Sequence, residues 1–117
     1  MIEKIVYDFL KKNIGKNVYM EKPCKAYSDI SPFVLIEKTG GSVSNHISHA
    51  TTSIRSYGAT LFKAAELNET VKSVMSEITS LLNVSSCALN SDYNFTDVTT
   101  KQYRYQAVFN ITYMEDK

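Results

Sequence analysis

From Thr60 to Leu82 the apolar residues recur at three- and four-residue steps: Leu61, Ala64, Ala65, Leu67, Val71, Val74, Met75, Ile78, Leu81 and Leu82. That spacing predicts one amphipathic helix, with Lys63, Glu66, Glu69, Lys72, Ser76 and Glu77 mostly on its other side. Thr60 is a suitable N-cap, because its hydroxyl can accept a backbone N–H of the first turn. Asn83 is a suitable stop, because Asn tolerates the left-handed conformation. At about 1.5 Å per residue the helix would run roughly 33 Å. A one-sided helix of that length needs a surface to receive its stripe, and the rest of the chain reads as a sheet.

Residues 2–13 predict a short helix with Ile2, Ile5, Val6, Phe9 and Leu10 inward, Lys11 and Lys12 at its C-terminal end, and Asn13 and Gly15 as the stop. Val18–Glu21 reads as a short strand closed by Pro23, and residues 23–31 as a connection. Pro32 opens the strand Phe33–Glu37, whose continuous apolar run implies cover on both faces. Thr39-Gly-Gly-Ser42 reads as a turn. Ser44–Tyr57 reads as a long, β-branched but polar strand, expected at a sheet edge or with its outer face against another subunit. Val84–Leu89 is a further strand, and Asn90–Thr100 a hairpin loop carrying Tyr93 and Phe95. From Tyr103 to Tyr113 the alternation is clean. Tyr103, Tyr105, Ala107, Phe109, Ile111 and Tyr113 fall on one face, and Arg104, Gln106, Val108, Asn110 and Thr112 on the other. Tyr113, near the strand end, is the member of that stripe placed to reach an interface. The order is α-β-β-β-α-β-β. It predicts a single α+β domain over residues 1–117: a mainly antiparallel sheet of four to five strands with the long helix and the short N-terminal helix packed on it.

Composition narrows the function classes. The 117 residues suit one domain, 44% hydrophobic and 21% charged, with a formal net charge of +1. A dedicated nucleic-acid binder usually carries a basic face, which that charge disfavours. No apolar run approaches the ~20 residues of a membrane span, and the N-terminal segment lacks the pattern of a signal peptide. Cys24 and Cys87 stand far apart in no metal-ligand pattern and read as two reduced thiols. The N-x-[ST] triplets at Asn68, Asn83, Asn94 and Asn110 read as chance in an Asn/Ser/Thr-rich chain.

Candidate chemistry is sparse. His46 and His49 form an H-x-x-H pair, but on a strand the two rings point to opposite faces. Cys24 has no local base to make it a nucleophile. Thr39-Gly40-Gly41-Ser42 lacks the Gly-x-x-x-x-Gly-Lys pattern of a phosphate loop and leads into a strand. The pairs Glu66/Glu69 and Glu115/Asp116 belong to a solvated helix face and a chain tail. No catalytic, cofactor-binding or metal residue is assigned, and no cofactor is expected. Arg55 and Arg104 lie on strands among Ser, Thr and Tyr, where they are either solvent-facing charge or a subunit contact, a setting enriched in Arg and Tyr.

Taken together, the order and several segments resemble the tail terminator (tail completion) proteins of long, non-contractile-tailed bacteriophages, the siphophages. The segments are the N-terminal helix, Val18-Tyr-Met-Glu-Lys-Pro23, Pro32-Phe-Val-Leu-Ile36, Ser53-Ile-Arg-Ser-Tyr-Gly58, Ala64-Ala-Glu-Leu67 and Tyr103-Arg-Tyr-Gln-Ala-Val-Phe109. The resemblance is one of pattern and order and includes no invariant catalytic motif. It implies a structural virion protein, not an enzyme. Such proteins form a ring, typically of six subunits, that caps the tail tube, stops its elongation and joins it to the neck or head-completion protein. The implied location is the head–tail junction of a virion assembled in the bacterial cytoplasm, with genomic DNA passing through the bore without specific binding and no membrane involved. On that reading the subunit-interface candidates are Thr51, Ser53, Arg55, Tyr57 and Arg104, and Tyr93 and Phe95 are candidates for contact with tube or neck. No acidic cluster marks a bore. The competing readings are a head-closure or neck adaptor protein and a small-ligand-binding domain of ferredoxin-like type.

Overall fold

The computed structural model describes residues 1–15, 17–21, 32–44, 47–100 and 102–114, with the backbone alone at Ser44. The expected connection over 23–31, Cys24, His46, Glu115 and Asp116 lie outside the described residues. Helix α1 (Ile2–Ile14) is followed by strands β1 (Val18–Tyr19), β2 (Phe33–Ser44) and β3 (Ile47–Gly58). Helix α2 (Leu61–Met75), a 3-10 turn (Ile78–Ser80), β4 (Val84–Asn94) and β5 (Tyr103–Tyr113) complete the described elements. Among the described residues the strands form one sheet in the order β1-β2-β3-β5-β4. β1 runs parallel to β2, and the other pairings are antiparallel.

Both described helices bury their stripes on one face. Ile2, Val6 and Leu10 of α1 and Val71 and Met75 of α2 join Val34, Ile36, Ala50, Ile54, Ala107, Phe109 and Ile111 in a single core. The alternation of β5 positions Ala107, Phe109, Ile111 and Tyr113 inward, all buried, so Tyr113 is a core residue and not an interface one. α1 ends as its residues dictate: Gly15 takes φ +106° and its N–H bonds the Lys11 carbonyl at 3.0 Å. Thr60 caps α2, its hydroxyl accepting the Lys63 N–H at 3.1 Å.

Four further expectations are corrected. The helix expected over 60–82 stops at Met75. Ser76 turns its hydroxyl back onto the Ser73 carbonyl at 2.6 Å, and the Glu77 N–H reaches Val74, three residues back, tightening the chain into the 3-10 turn. The turn delivers Ile78 to the core and leaves Leu82 fully exposed. Thr39-Gly-Gly-Ser42 is not a turn but part of β2: Gly40, Gly41 and Ser42 pair with Thr51, Ala50 and His49, and a bulge between Lys38 and Gly40 takes up the register. The loop expected over Asn90–Thr100 starts later, because β4 continues to Asn94 beside Tyr105. Finally, the polar strand β3 is not at an edge; it is the middle strand, between β2 and β5. Its helix-side residues are small (Ala50, Thr52, Ser56, around Ile54), so α2 settles close onto it. A Cβ on Gly58 would lie 2.5 Å from the Ala64 nitrogen.

Across the sheet, α2 is tied to β4 by polar contacts. Asn68, buried, donates to Asp92 Oδ1 at 2.6 Å, and Lys72 Nζ reaches Asp92 Oδ2 and Glu69 Oε2, each at 2.6 Å. Hydrogen bonding to Asp92 first, and to Glu69 second, raises the Lys72 ammonium above its ordinary value.

Candidate functional site

The two described helices cover one face of the sheet, and the other face is where the sequence candidates converge. Alternation along β3 sends His49, Thr51, Ser53, Arg55 and Tyr57 to that open face. Cross-strand pairing sets them beside Thr112, Asn110, Val108, Gln106 and Arg104 of β5. At the end of the sheet away from the β2–β3 tip, the candidates form one continuous belt of rings and guanidinium groups.

Phe33 stacks on Tyr57 with centroids 4.3 Å apart and 8° between planes, and Tyr19 meets Phe33 edge-on at 5.9 Å. Arg104 lies 5.8 Å from the Tyr57 ring and 4.6 Å from that of Phe95. Its Nε donates to the Phe95 carbonyl at 2.7 Å, and its NH1 donates to the Tyr57 hydroxyl at 3.4 Å. Arg55 lies 5.3 Å from the same Phe95 ring, donates to Gln106 Oε1 at 2.8 Å and pairs with Glu37 at 3.4 Å. Gln106 in turn donates to the Tyr93 hydroxyl, and Tyr93 meets Phe95 edge-on at 5.9 Å. Phe95 is thus the hub: the negative face of one ring answers two cations whose planar donors are also hydrogen-bonded. Long arginine side chains are held in place this way before any partner arrives, so less side-chain entropy is lost on association.

Of the sequence candidates, Arg55, Tyr57, Tyr93, Phe95 and Arg104 come together in the belt. Thr51 lies farther along the same face, its hydroxyl donating to Asn110 Oδ1 at 3.2 Å. Ser53 and Tyr57 are buried within their own chain, each 2% exposed, whereas Tyr93 is 41% exposed. Sequence reasoning missed Phe33, Tyr19, Gln106 and Glu37. Phe33 was visible as an apolar residue, but only the β2–β3 register places it opposite Tyr57.

Among the described residues the titratable groups outside the belt offer little chemistry. His49 Nδ1 lies 3.2 Å from the Thr112 hydroxyl. Burial pushes the half-buried Cys87 thiol up to about 11, away from the thiolate that reactivity requires. Among the described residues no three His, Cys, Asp or Glu side chains gather as a metal site, and no helix is long and apolar enough to cross a membrane.

The loop that carries Phe95 is shaped by Asp97. Its carboxylate accepts the Thr99 N–H at 3.0 Å and the Thr100 N–H at 3.4 Å, and its backbone pairs with Gln102. Hydrogen bonding from the Thr100 backbone holds the carboxyl below its ordinary value of 3.8. A group depressed in the folded state contributes stability above its unfolded value and loses it as pH falls through the folded one. The loop is therefore expected to loosen below pH 3.8. Asp97→Asn, which keeps an acceptor oxygen without the charge, is expected to show a shallower fall in melting temperature over that acid range. Parallel acid profiles for the two proteins would refute this role.

No protein-family model matches this sequence, and no curated protein matches it. Solved structures do match in fold. A chain of the structure titled "Virion of native gene transfer agent (GTA) particle" superposes with a TM-score of 0.60 at 12% identity, over 97% of this chain and 95% of that one.

Proposed function

We propose that this chain is a structural virion protein of a phage-like particle: a tail terminator whose copies close into a ring, typically of six. The ring caps the tail tube, ends its elongation and joins it to the head–neck connector. The observation that carries the reading is the fold likeness to a virion-particle chain along nearly the full length of both chains. The resemblance in sequence order points the same way. The belt supports it as well. Rigid aromatic anchors and hydrogen-bonded arginines are what protein interfaces concentrate, and here they occupy the face opposite the two described helices. Thr51, Arg55 and Arg104 would meet the neighbouring subunit, and Tyr93 and Phe95 the tube or neck protein. Ser53 and Tyr57 would support that surface from beneath. A net charge of +1 suits a bore that lets DNA slide, since many phosphate contacts would grip it. No reaction is proposed for the chain, and its place would be the head–tail junction.

The test is mass in solution across a concentration series, paired with electron microscopy of the protein mixed with tail tubes from the same particle. A closed ring near six subunits, seated on tube ends, is the expected result. A protein that stays monomeric at every concentration and leaves tube ends bare would overturn it. A ring that binds the head-side connector but not the tube would instead make it a neck adaptor.

A further inference from the structure

We infer that copies of this chain join edge to edge, with the free part of β2 from one copy adding to β4 of the next, so that one antiparallel sheet runs through the assembly. This rests on the ring reading for its closure, and the pairing itself is argued from the two sheet edges.

β4 is an edge strand of 11 residues, Val84–Asn94. Long edges are usually blunted by Lys, Pro or inward charge, because their unpaired N–H and C=O groups accept any strand that arrives. β4 contains no Pro, Lys or Arg. Its single charge, Asp92, is occupied by Asn68 and Lys72 of α2. At the opposite edge β1 pairs with only Val34 and Leu35 of β2. Among the described residues nothing pairs with the outer side of β2 beyond that point. From Thr39 to Ser44 this free stretch carries no charge and includes Gly40 and Gly41. Gly40 has open space where a side chain would stand, and glycine within a strand suits close approach of a second backbone.

The two edges also match in direction and height. β2, β3, β5 and β4 alternate strictly in direction. The next copy's β2, in the same orientation, therefore arrives antiparallel to β4. Following the register across the sheet, Ser42 is level with His49, Thr112 and Ser86, and Gly40 with Thr51, Asn110 and Ala88. The unpaired part of β2 thus stands level with Val84–Ser91, the part of β4 that β1 of a neighbour would not obstruct. Leu89, 47% exposed at the margin of the helix-side face, is the apolar residue an added strand would cover. Two different edges make the contact heterologous, the kind that generates rings. Bulges at Lys38/Gly40, Val84/Ser86 and Leu89/Ser91 supply the bending that closure needs. With about six copies the closed sheet would exceed the 16–18 strands at which barrels already enclose a water-filled channel.

The test places cysteines across the proposed joint, in a chain carrying Cys24→Ser and Cys87→Ala. Ser42→Cys is combined in turn with Ser86→Cys and with Ala88→Cys, which allows for a two-residue slide. All three positions are exposed on the open face. After mild oxidation the double variants are expected to lose the monomer band on a non-reducing gel to a ladder ending at the ring size, while each single variant stays monomeric. A full-sized ring by light scattering with no ladder from either pair would overturn the strand joint and leave the ring reading intact. Dimers from Ser86→Cys alone, with the double variants stopping at dimer, would mean β4 pairs with itself and overturn it too. Monomers by light scattering, no cross-link and tube ends left bare would sink both readings. Hydrogen exchange on the unsubstituted chain gives an independent check. Amides of residues 37–43 and 84–91 should gain protection in the ring fraction over the dilute monomer, and no gain would count against the joint.

Discussion

Phe33→Ala is expected to destabilise the protein by about 3–5 kcal/mol, the range for removing a buried aromatic ring. Phe33 is 1% exposed although it lies on the face of the sheet opposite the two described helices. Among the described residues it packs against Tyr57, stacked at 4.3 Å, and Tyr19, edge-on at 5.9 Å, with Leu35 beside them. This is a second, smaller apolar cluster, separated from the main core by the sheet. Removing the ring leaves a cavity and also takes away the ring stacked on Tyr57, on which Arg104 rests. Small domains have only about 5–15 kcal/mol of total stability, so the variant should lose a large share of it. A urea titration monitored by circular dichroism gives the number, with the exposed Leu82→Ala as a control expected to stay within ~0.5 kcal/mol. A loss below about 1 kcal/mol would mean the open-face cluster is not a packing unit. The belt would then lack the rigid base its proposed role needs.

Gly58→Ala is expected to cost about 3 kcal/mol, through overpacking rather than cavity formation. An added Cβ would stand 2.5 Å from the Ala64 nitrogen, 2.8 Å from the Lys63 carbonyl carbon and 3.0 Å from the Ala64 Cα. All three are backbone atoms of the first turn of α2, so no side chain can swing aside. The helix must lift off β3 or its capped first turn must break, exposing part of the stripe that Ala64 and Val71 bury. Thermal melts of Gly58→Ala and Gly40→Ala make the comparison, because Gly40 has nothing within 4 Å of the same added atom. Equal melting temperatures for the two variants would show that the close approach at Gly58 is not structurally required.

Local chemistry was enough to predict some elements nearly to the residue. α1 announced its stripe and its glycine stop, Thr60 its capping hydroxyl, and β5 its alternation from Tyr103 to Tyr113. In each case the signal and the interaction that satisfies it lie within a few residues of each other. The α+β class and the order of elements followed, because a one-sided helix and alternating strands leave few ways to hide their apolar faces.

Tertiary pairing decided the rest. Thr39-Gly-Gly-Ser42 has the composition of a turn, yet it is strand because Thr51, Ala50 and His49 lie opposite to bond it. β3 looked too polar for the middle of a sheet. It is central because its small hydroxyl side chains let α2 come close, a requirement set by the helix and invisible in the strand. The long apolar stripe ran on past Met75, but Ser76 and Glu77 tightened the chain and sent Ile78 inward. The belt shows the same division. The residue types of Arg55, Tyr57, Tyr93, Phe95 and Arg104 could be singled out one at a time. Their meeting around a single ring depends on strand order and register, which set Tyr57 beside Arg104, 47 positions along the chain. Sequence by itself determined which segments fold and which of their faces are apolar, since those are properties of neighbours along the chain. Which polar face became a surface, and which edges of the sheet were left unpaired, was decided only when distant segments competed for the same partners.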